Sequence, residues 1–505
     1  MTSSVDSSPN LTLDQAFSVA SPRLSPRPVP LFSTFIYLGV FALWALLFAR
    51  ALSFDNIFAW SAGIVYVCYD TFLLAFVAWQ IRGLGKTSDE TIEPHSRLAA
   101  LASESAQGRR LSLGVIIAAH NEAAVLPATI EALLAQSDQP DRILIADDGS
   151  NDTTQKVLGR YGVAVPRFGE VAQGASPCSP VGWLRLPHGG KARALNAAIA
   201  VLQTDIVLTV DADTLLEPEA IGAMRQAFAA QPRLVAATGL LAPVCNRSGI
   251  GRFFQWFQTY EYIRNYVSRF AWMRSECLLL VSGAFAGFRR DALVEVGGFD
   301  PECLVEDYEL IHRLHRHSVD HGLDWQVKVL GDAQAQTDAP STLSAFLRQR
   351  RRWFAGFLQT QYWNRDMTGN GRYGRLGTLM LPIKAIDTMQ PIYGLVAFGL
   401  LIGFLFGGQY NLAFSTLAII GTKIGIDLSF HLWSVHLYRL WSGDRKRTHF
   451  GHAFVAALIE PFSFQLLRHS GAFLGWVSFL SRRQTWGRQS RSGLLSSIQA
   501  GNQNA

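Results

Sequence analysis

Cysteine is scarce in this chain: Cys68, Cys178, Cys245, Cys277 and Cys303 are scattered over 505 positions, with no Cys-x-x-Cys spacing. An odd, widely spaced set excludes a disulfide scaffold and a thiolate zinc or redox centre, and leaves reduced structural thiols. Charge is scarce as well, 17% of residues against 49% hydrophobic, which is too apolar for an ordinary soluble enzyme. The net charge of +6 does not describe a nucleic-acid surface, because the basic residues flank apolar runs or cluster at Arg350 to Arg352. No internal repeat is visible.

What the chain has instead is apolar length. Leu31 to Phe48 is almost wholly apolar, and Ile57 to Ile81 is interrupted mainly by Asp70; either run is long enough, as a helix, to cross about 30 Å of hydrocarbon. A signal peptide would need a shorter core and a small-residue cleavage site, so retained anchors are expected. Arg23 and Arg27 precede the first run and Arg82 and Lys86 follow the second, which places both flanks in the cytoplasm by the positive-inside tendency.

The organisation that follows is a Ser- and Pro-rich disordered cytoplasmic tail over 1–30, two membrane helices over 31–82 and a polar linker over 83–110. A cytoplasmic α/β domain is expected over 111–375, with interface helices at its end. Its buried strands Leu113 to Ala119, Arg142 to Asp147 and Asp205 to Val210 alternate with helices Ala123 to Gln136 and Lys191 to Leu202. Val163 to Gly182 carries Gly, Pro and Ser without periodicity and reads as a loop, a surface excursion. Further helices are expected at Gly251 to Arg274, Glu306 to His317 and Thr342 to Tyr362. Pro391 to Phe406 and Leu412 to Leu437 read as two more spans within 376–480. Glu460, Arg468 and His469 interrupt the last apolar stretch and argue for interfacial helices there, giving four spans, or six on the other reading. A basic cytoplasmic tail closes the chain over 481–505.

Six groups carry chemistry. Asp147-Asp148-Gly149-Ser150 follows a strand, at the edge where α/β sheets bind ligands; its acids suit a uracil imide or ribose hydroxyls, although the same residues suit a turn and a helix cap. Asn121 and Glu122, after the first strand, can reach the same ligand. Gly189-Gly190-Lys191 opens a helix whose free N–H groups, with Lys191, favour a diphosphate. Asp211 and Asp213 offer hard oxygen ligands for Mg²⁺ or Mn²⁺, or cap a turn. Glu306 and Asp307 begin a helix, where a carboxylate can act as general base or simply favour the helix dipole. Gln349, Arg352 and Trp353 suit phosphate oxygens and a sugar face, or a membrane-interface belt.

In this order, Asp-Asp-Gly-Ser, Gly-Gly-Lys-Ala-x-Ala-Leu-Asn, Asp-Ala-Asp, Glu-Asp and Gln-x-x-Arg-Trp resemble the processive, membrane-embedded members of glycosyltransferase family 2, the cellulose, chitin, hyaluronan and poly-N-acetylglucosamine synthases. The resemblance covers Leu111 to Trp353 and implies a GT-A type fold, a Rossmann-like, mostly parallel α/β sheet. It implies inverting, processive transfer from a UDP-sugar to a growing β-linked polysaccharide, coupled to export. Asp307 would be the base beside Glu306, and Asn121, Glu122, Asp147, Asp148, Lys191, Asp211, Gln349, Arg352 and Trp353 would hold the nucleotide-sugar, with the metal on Asp211 and Asp213. Ser282-Gly283-Ala284-Phe285 resembles the family's acceptor-side loop, and Trp486, Arg488 and Arg491 partly match the gating loop of hyaluronan-type synthases. The missing extension for a cyclic-nucleotide-binding domain weakens a cellulose-synthase assignment. The expected partners are the donor, a polysaccharide or lipid acceptor, membrane lipids and an optional accessory subunit, without nucleic acid. The alternative is a non-processive enzyme with a lipid acceptor, similar to ceramide glucosyltransferase.

Overall fold

The computed structural model describes residues 12–53, 61–84, 110–175, 179–444, 448–482 and 493–494. It starts with a short helix, α1 (Leu13–Ala20), closed by a capping box in which the Thr12 hydroxyl accepts from Gln15 N–H and the Gln15 side chain accepts from Thr12 N–H. Two apolar helices follow, α2 (Leu31–Ser53) and α3 (Ser61–Gln80).

The sheet domain contains β1 (Leu113–Ala119), α4 (Leu126–Leu134), β2 (Arg142–Asp148), α5 (Thr154–Gly159), β3 (Val171–Gln173), β4 (Val181–Leu186) and α6 (Lys191–Val201). It continues through β5 (Ile206–Asp211), β6 (Thr214–Leu216), α7 (Ala220–Ala230), β7 (Leu234–Val244), α8 (Gly249–Arg274), β8 (Phe285–Arg289) and α9 (Arg290–Glu295). It ends with α10 (Glu306–Asp320), β9 (Gln326–Asp338) and α11 (Leu343–Trp363). The nine strands form one sheet in the order β3-β4-β2-β1-β5-β8-β7-β9-β6. β4, β2, β1 and β5 run parallel, the Rossmann-like half that the apolar strands predict. β8 is antiparallel to both β5 and β7, while β7 and β9 run parallel, so the second half is mixed rather than mostly parallel.

Burial explains the central strands. Val115, Ile116 and Ile117 of β1 and Ile206, Val207 and Leu208 of β5 are fully enclosed, so both faces of these strands need apolar residues and the sequence shows runs rather than alternation. α10 is fixed by a buried pair one turn apart: Arg313 binds Glu309 at 2.7 Å and also donates to the carbonyls of Val296 and Gly298. α8 and α11 each start on a hydroxyl cap, Ser248 and Thr342.

The remaining helices are α12 (Leu381–Asp387), α13 (Gln390–Phe406), α14 (Tyr410–Ser442), α15 (Phe450–Ile459) and α16 (Phe464–Leu480). Among the described residues, three helical stretches are long and apolar enough to cross a membrane: Leu31–Arg50, Leu376–Phe406 and Tyr410–Ser442. Phe450–Phe462 and Phe464–Leu480 make a fourth if that pair, bent by 49°, counts as one span. α3 corresponds to the second apolar run, part of which lies outside the described residues. α2 turns Phe32, Phe35, Leu38 and Phe41 outward, an apolar exterior that suits hydrocarbon.

Two expectations need correction. Residues 12–30 are not a disordered tail but fold onto the sheet domain. Arg23 forks onto the buried Asp300 with two 2.9 Å bonds, Arg27 pairs with Asp320, and Phe17 lies beneath the Arg313 guanidinium. The tail lacks a long apolar pattern because charge-assisted bonds and one aromatic dock it. The excursion over 163–182 contains β3 and the start of β4, which pair as an antiparallel hairpin at the sheet edge. The expected 83–110 linker falls mostly outside the described residues.

Candidate active site

The parallel strands end on one edge. β1 places Ala119 beside Asp147 of β2 and Ala118 beside Asp211 of β5, so the two acidic groups flank the end of β1. Asp147 is buried, and its carboxylate accepts from Ser150 N–H at 2.9 Å and from the Trp183 indole at 3.1 Å. Asp148, also buried, accepts from Gly189 N–H at 2.6 Å and Gly190 N–H at 2.9 Å. Asp148 thus takes up the N–H groups of Gly189 and Gly190, the two residues just before α6. Asn121 holds a left-handed backbone (φ 59°), and its amide oxygen accepts from Asn151 N–H; the carbonyl of Glu122 accepts from Val125 and Leu126 at the start of α4.

Lys191, the first residue of α6, reaches Asp211 at 2.7 Å and Glu306 at 3.4 Å. Desolvation works to lower the Lys191 pKa, but Asp211 and Glu306 more than offset it and hold the ammonium above the ordinary lysine value. Burial pushes the Glu306 carboxyl up; Lys191 pulls it back in part, while Asp307 adds to the upward push. Asp213 is buried two residues beyond Asp211, at the start of the turn into β6. Two hard carboxylates at one strand end are a donor set that fits Mg²⁺ or Mn²⁺.

Asp307 stands in the first turn of α10. One oxygen of its carboxylate accepts from Gly283 N–H at 2.7 Å, the other from Tyr308 N–H at 2.8 Å, which fixes the direction of the group. On α11, Arg352 donates to the Leu304 carbonyl at 3.1 Å, and the Gln349 side-chain oxygen is buried with no hydrogen-bond donor among the described residues. Arg350, between them, forks onto Glu261 of α8 at 2.7 and 2.6 Å and lies over the Trp353 ring.

One cavity of about 510 Å³ joins these parts: Lys191, Asp211, Asp213, Glu306, Asp307, Gln349, Arg352 and Trp353 all line it. Its far wall is built by the apolar helices, through Pro391 at the start of α13 and through Arg468 and His469 of α16. Asn121, Glu122, Asp147 and Asp148 lie outside that lining. Trp486, Arg488 and Arg491 lie outside the described residues. The residues missed from sequence are those whose partner is distant: Trp183 on Asp147, Glu261 on Arg350, and the membrane-side cavity residues Pro391, Arg468 and His469. Gly283 did carry a signal, as part of Ser-Gly-Ala-Phe.

Cys245, Cys277 and Cys303 are buried free thiols and Cys68 is an exposed one, as the spacing predicts; Cys178 lies outside the described residues. Burial pushes the Cys245 thiol up to about 12, which suits an inert role.

Comparison with known proteins agrees with the order of the motifs. Residues 114–297 match the family described as Glycosyl transferase family 2, and residues 206–438 match Glycosyl transferase family group 2. The chain is 26% identical over 310 residues to a poly-beta-1,6-N-acetyl-D-glucosamine synthase of Staphylococcus epidermidis, covering 61% of this chain and 68% of that protein. It is 28% identical over 247 residues to the synthase of the same name from Staphylococcus aureus strain COL, covering 48% and 53%. Among solved structures, a mannosyltransferase from Pyrobaculum calidifontis in complex with GDP-Man and Mn²⁺ aligns with a TM-score of 0.47 at 16% identity, over 78% of this chain and 99% of that one.

Proposed function

The chain carries family 2 glycosyltransferase domains, and on that premise we propose that it transfers a sugar, most simply N-acetylglucosamine, from its UDP donor to the end of a growing β-linked polysaccharide. The choice of donor follows the Staphylococcus relatives, whose names specify a poly-N-acetylglucosamine product. The observation that carries the reading is the placement of Asp307. Its carboxylate is held by two backbone N–H groups on the wall of the cavity that also receives Lys191, Asp211 and Asp213.

In this reading the acceptor hydroxyl approaches Asp307, which takes its proton as the oxygen attacks the anomeric carbon. The bond to the UDP oxygen breaks on the opposite side, so configuration inverts. Lys191 moves from Asp211 to the diphosphate as negative charge builds there, and Arg352 supplies a second cation. A divalent cation held by Asp211 and Asp213 would neutralise the remaining charge of the leaving group. Glu306 keeps Lys191 on the cavity side of α6. Trp353 and Gln349 receive the acceptor sugar. Asn121, Glu122, Asp147 and Asp148 shape the nucleoside end of the site through the turns they hold.

The domain would face the cytoplasm, with the apolar helices crossing the membrane as a multi-pass bundle that passes the product outward. The cavity wall at Pro391, Arg468 and His469 gives the acceptor side a route toward those helices. The test is UDP release by detergent-purified protein with UDP-glucose, UDP-N-acetylglucosamine or UDP-glucuronate, with products sized by mass spectrometry. A ladder of sugar polymers from UDP-N-acetylglucosamine, lost on chelation with EDTA and restored by Mg²⁺ or Mn²⁺, is expected. A single-sugar lipid product would replace this reading with the lipid-acceptor alternative, and no turnover with any donor would refute both.

A further inference from the structure

The segment ahead of the first apolar helix touches the helix of Asp307 along its whole length. At mid-α10 the Arg313 guanidinium stands 5.0 Å from the centre of the Phe17 ring, and the Phe17 backbone closes on Gly297 (φ +80°), where any Cβ would collide with it. Arg23 forks onto Asp300, ahead of α10, and Arg27 reaches Asp320 at its far end at 3.0 Å. Pro26, Pro28 and Pro30 then stiffen the run into α2.

From these contacts we propose that Arg23 is a positioning residue for sugar transfer: through Asp300 it sets the connection that leads into Asp307, and so ties the strap over residues 12–30 to the base. The Asp300 side chain has no exposed surface; besides Arg23 it takes the Glu302 N–H at 2.9 Å, and its carbonyl takes the Cys303 N–H at 3.2 Å. The turn is folded around a buried carboxylate whose bonded cation is Arg23. From the other side, α11 holds the same connection. Gln359 accepts from Leu304 N–H and donates to the Glu302 carbonyl, both at 3.1 Å, and a Cβ on Gly356 would stand 2.6 Å from Val305 Cγ2.

Arg23 also meets α11 directly, with its guanidinium 5.8 Å from the centre of the Trp363 ring. One side chain thus joins the lead into the base to the helix that carries Gln349, Arg352 and Trp353. A planar fork serves the carboxylate and the ring together, which a lysine cannot do. Without it, the connection and the first turn of α10 are free to shift against Gly283, whose N–H aims the Asp307 carboxylate. The inference rests on the reading of Asp307 as the base, whereas the contacts themselves do not.

The test takes the full-length protein in detergent, with Arg23→Ala, Asp300→Asn and the two combined. Backbone hydrogen–deuterium exchange is read by mass spectrometry. UDP release gives kcat per UDP-binding site, counted by calorimetry, so that a loss of folded protein cannot imitate a slower step. Exchange should accelerate over residues 300–310 and stay unchanged in β1 and β5. The value of kcat should fall by about 10-fold while the donor KM stays within about 2-fold. The double variant should be no slower than either single one, because all three break one contact. Wild-type exchange over 300–310 in the variants, an unchanged kcat per site, or losses that multiply in the double variant overturn the proposal. Should a single variant fail to fold, the double variant, which removes the buried charge with its partner, decides by the same exchange and kcat. A wild type that turns over no donor would refute the proposed reaction instead, and exchange over 300–310 would then decide alone whether Arg23 sets the connection.

Discussion

Replacing Gly283 with alanine disturbs the base without touching it. An alanine Cβ would stand 3.0 Å from Asp307 Oδ2 and 3.2 Å from the Asp307 Cβ, tighter than ordinary van der Waals contact. Gly283 is not among the positive-φ glycines, so alanine costs no backbone strain there and the disturbance is local. The carboxylate must shift by a few tenths of an ångström, lengthening the 2.7 Å bond from Gly283 N–H that aims it. A displacement of about 1 Å costs on the order of 10²-fold in rate, and a base contributes about 10² to 10⁴-fold. The shift here should therefore lower kcat by roughly 10-fold, or ~1.4 kcal/mol of transition-state stabilisation. The assay is steady-state UDP release, with thermal unfolding as the folding control. The donor KM should stay within about 2-fold, because the contact acts on the base and not on the nucleotide. An unchanged kcat in a folded Gly283→Ala protein, or a loss confined to KM, would refute the reasoning.

Arg313→Met strands the fully buried Glu309 and removes the donors to Val296 and Gly298, so it should cost about 3–5 kcal/mol and lower the unfolding temperature; an unchanged melting profile would contradict that account of α10. His312 is enclosed one turn beyond Tyr308, to whose carbonyl its Nδ1–H donates, and burial lowers its pKa from 6.5 to about 3. Because the folded-state value is depressed, the stability associated with neutral His312 is present above 6.5 and is lost as pH falls toward 3. Between pH 6.5 and 5 this amounts to ~2 kcal/mol. His312→Gln should therefore flatten the acid limb of the unfolding temperature relative to the wild type, and identical acid limbs would sink the assignment.

The parts of the fold legible in the sequence are those where one local pattern has one physical cause. Leu113–Ala119 and Ile206–Asp211 are apolar runs because both strand faces are enclosed, and the apolar positions Leu310, Ile311 and Leu314 set the inward face of α10. The tail over 12–30 was not legible, since Arg23 and Arg27 find their acids some 277 and 293 residues away. β3 is a three-residue edge strand, too short to show alternation. At the site, sequence order brought Lys191, Asp211, Asp213, Glu306, Asp307, Gln349, Arg352 and Trp353 to one cavity. It did not reveal that Trp183 and the Gly189–Gly190 N–H groups hold the Asp147 and Asp148 carboxylates, because those bonds join segments separated in the chain. The network from Arg350 through Glu261 to Arg468 and Glu460 was hidden for the same reason.

The role given to Asp307 is tested most directly by measuring donor binding and turnover in one preparation of Asp307→Asn. The asparagine keeps the size of the side chain and its oxygen can still accept from Gly283 N–H, but it cannot take a proton. UDP binding by calorimetry should stay within about 3-fold of wild type, while sugar transfer falls by at least ~10²-fold. Transfer at the wild-type rate in that variant would show that another group removes the proton and would contradict the account.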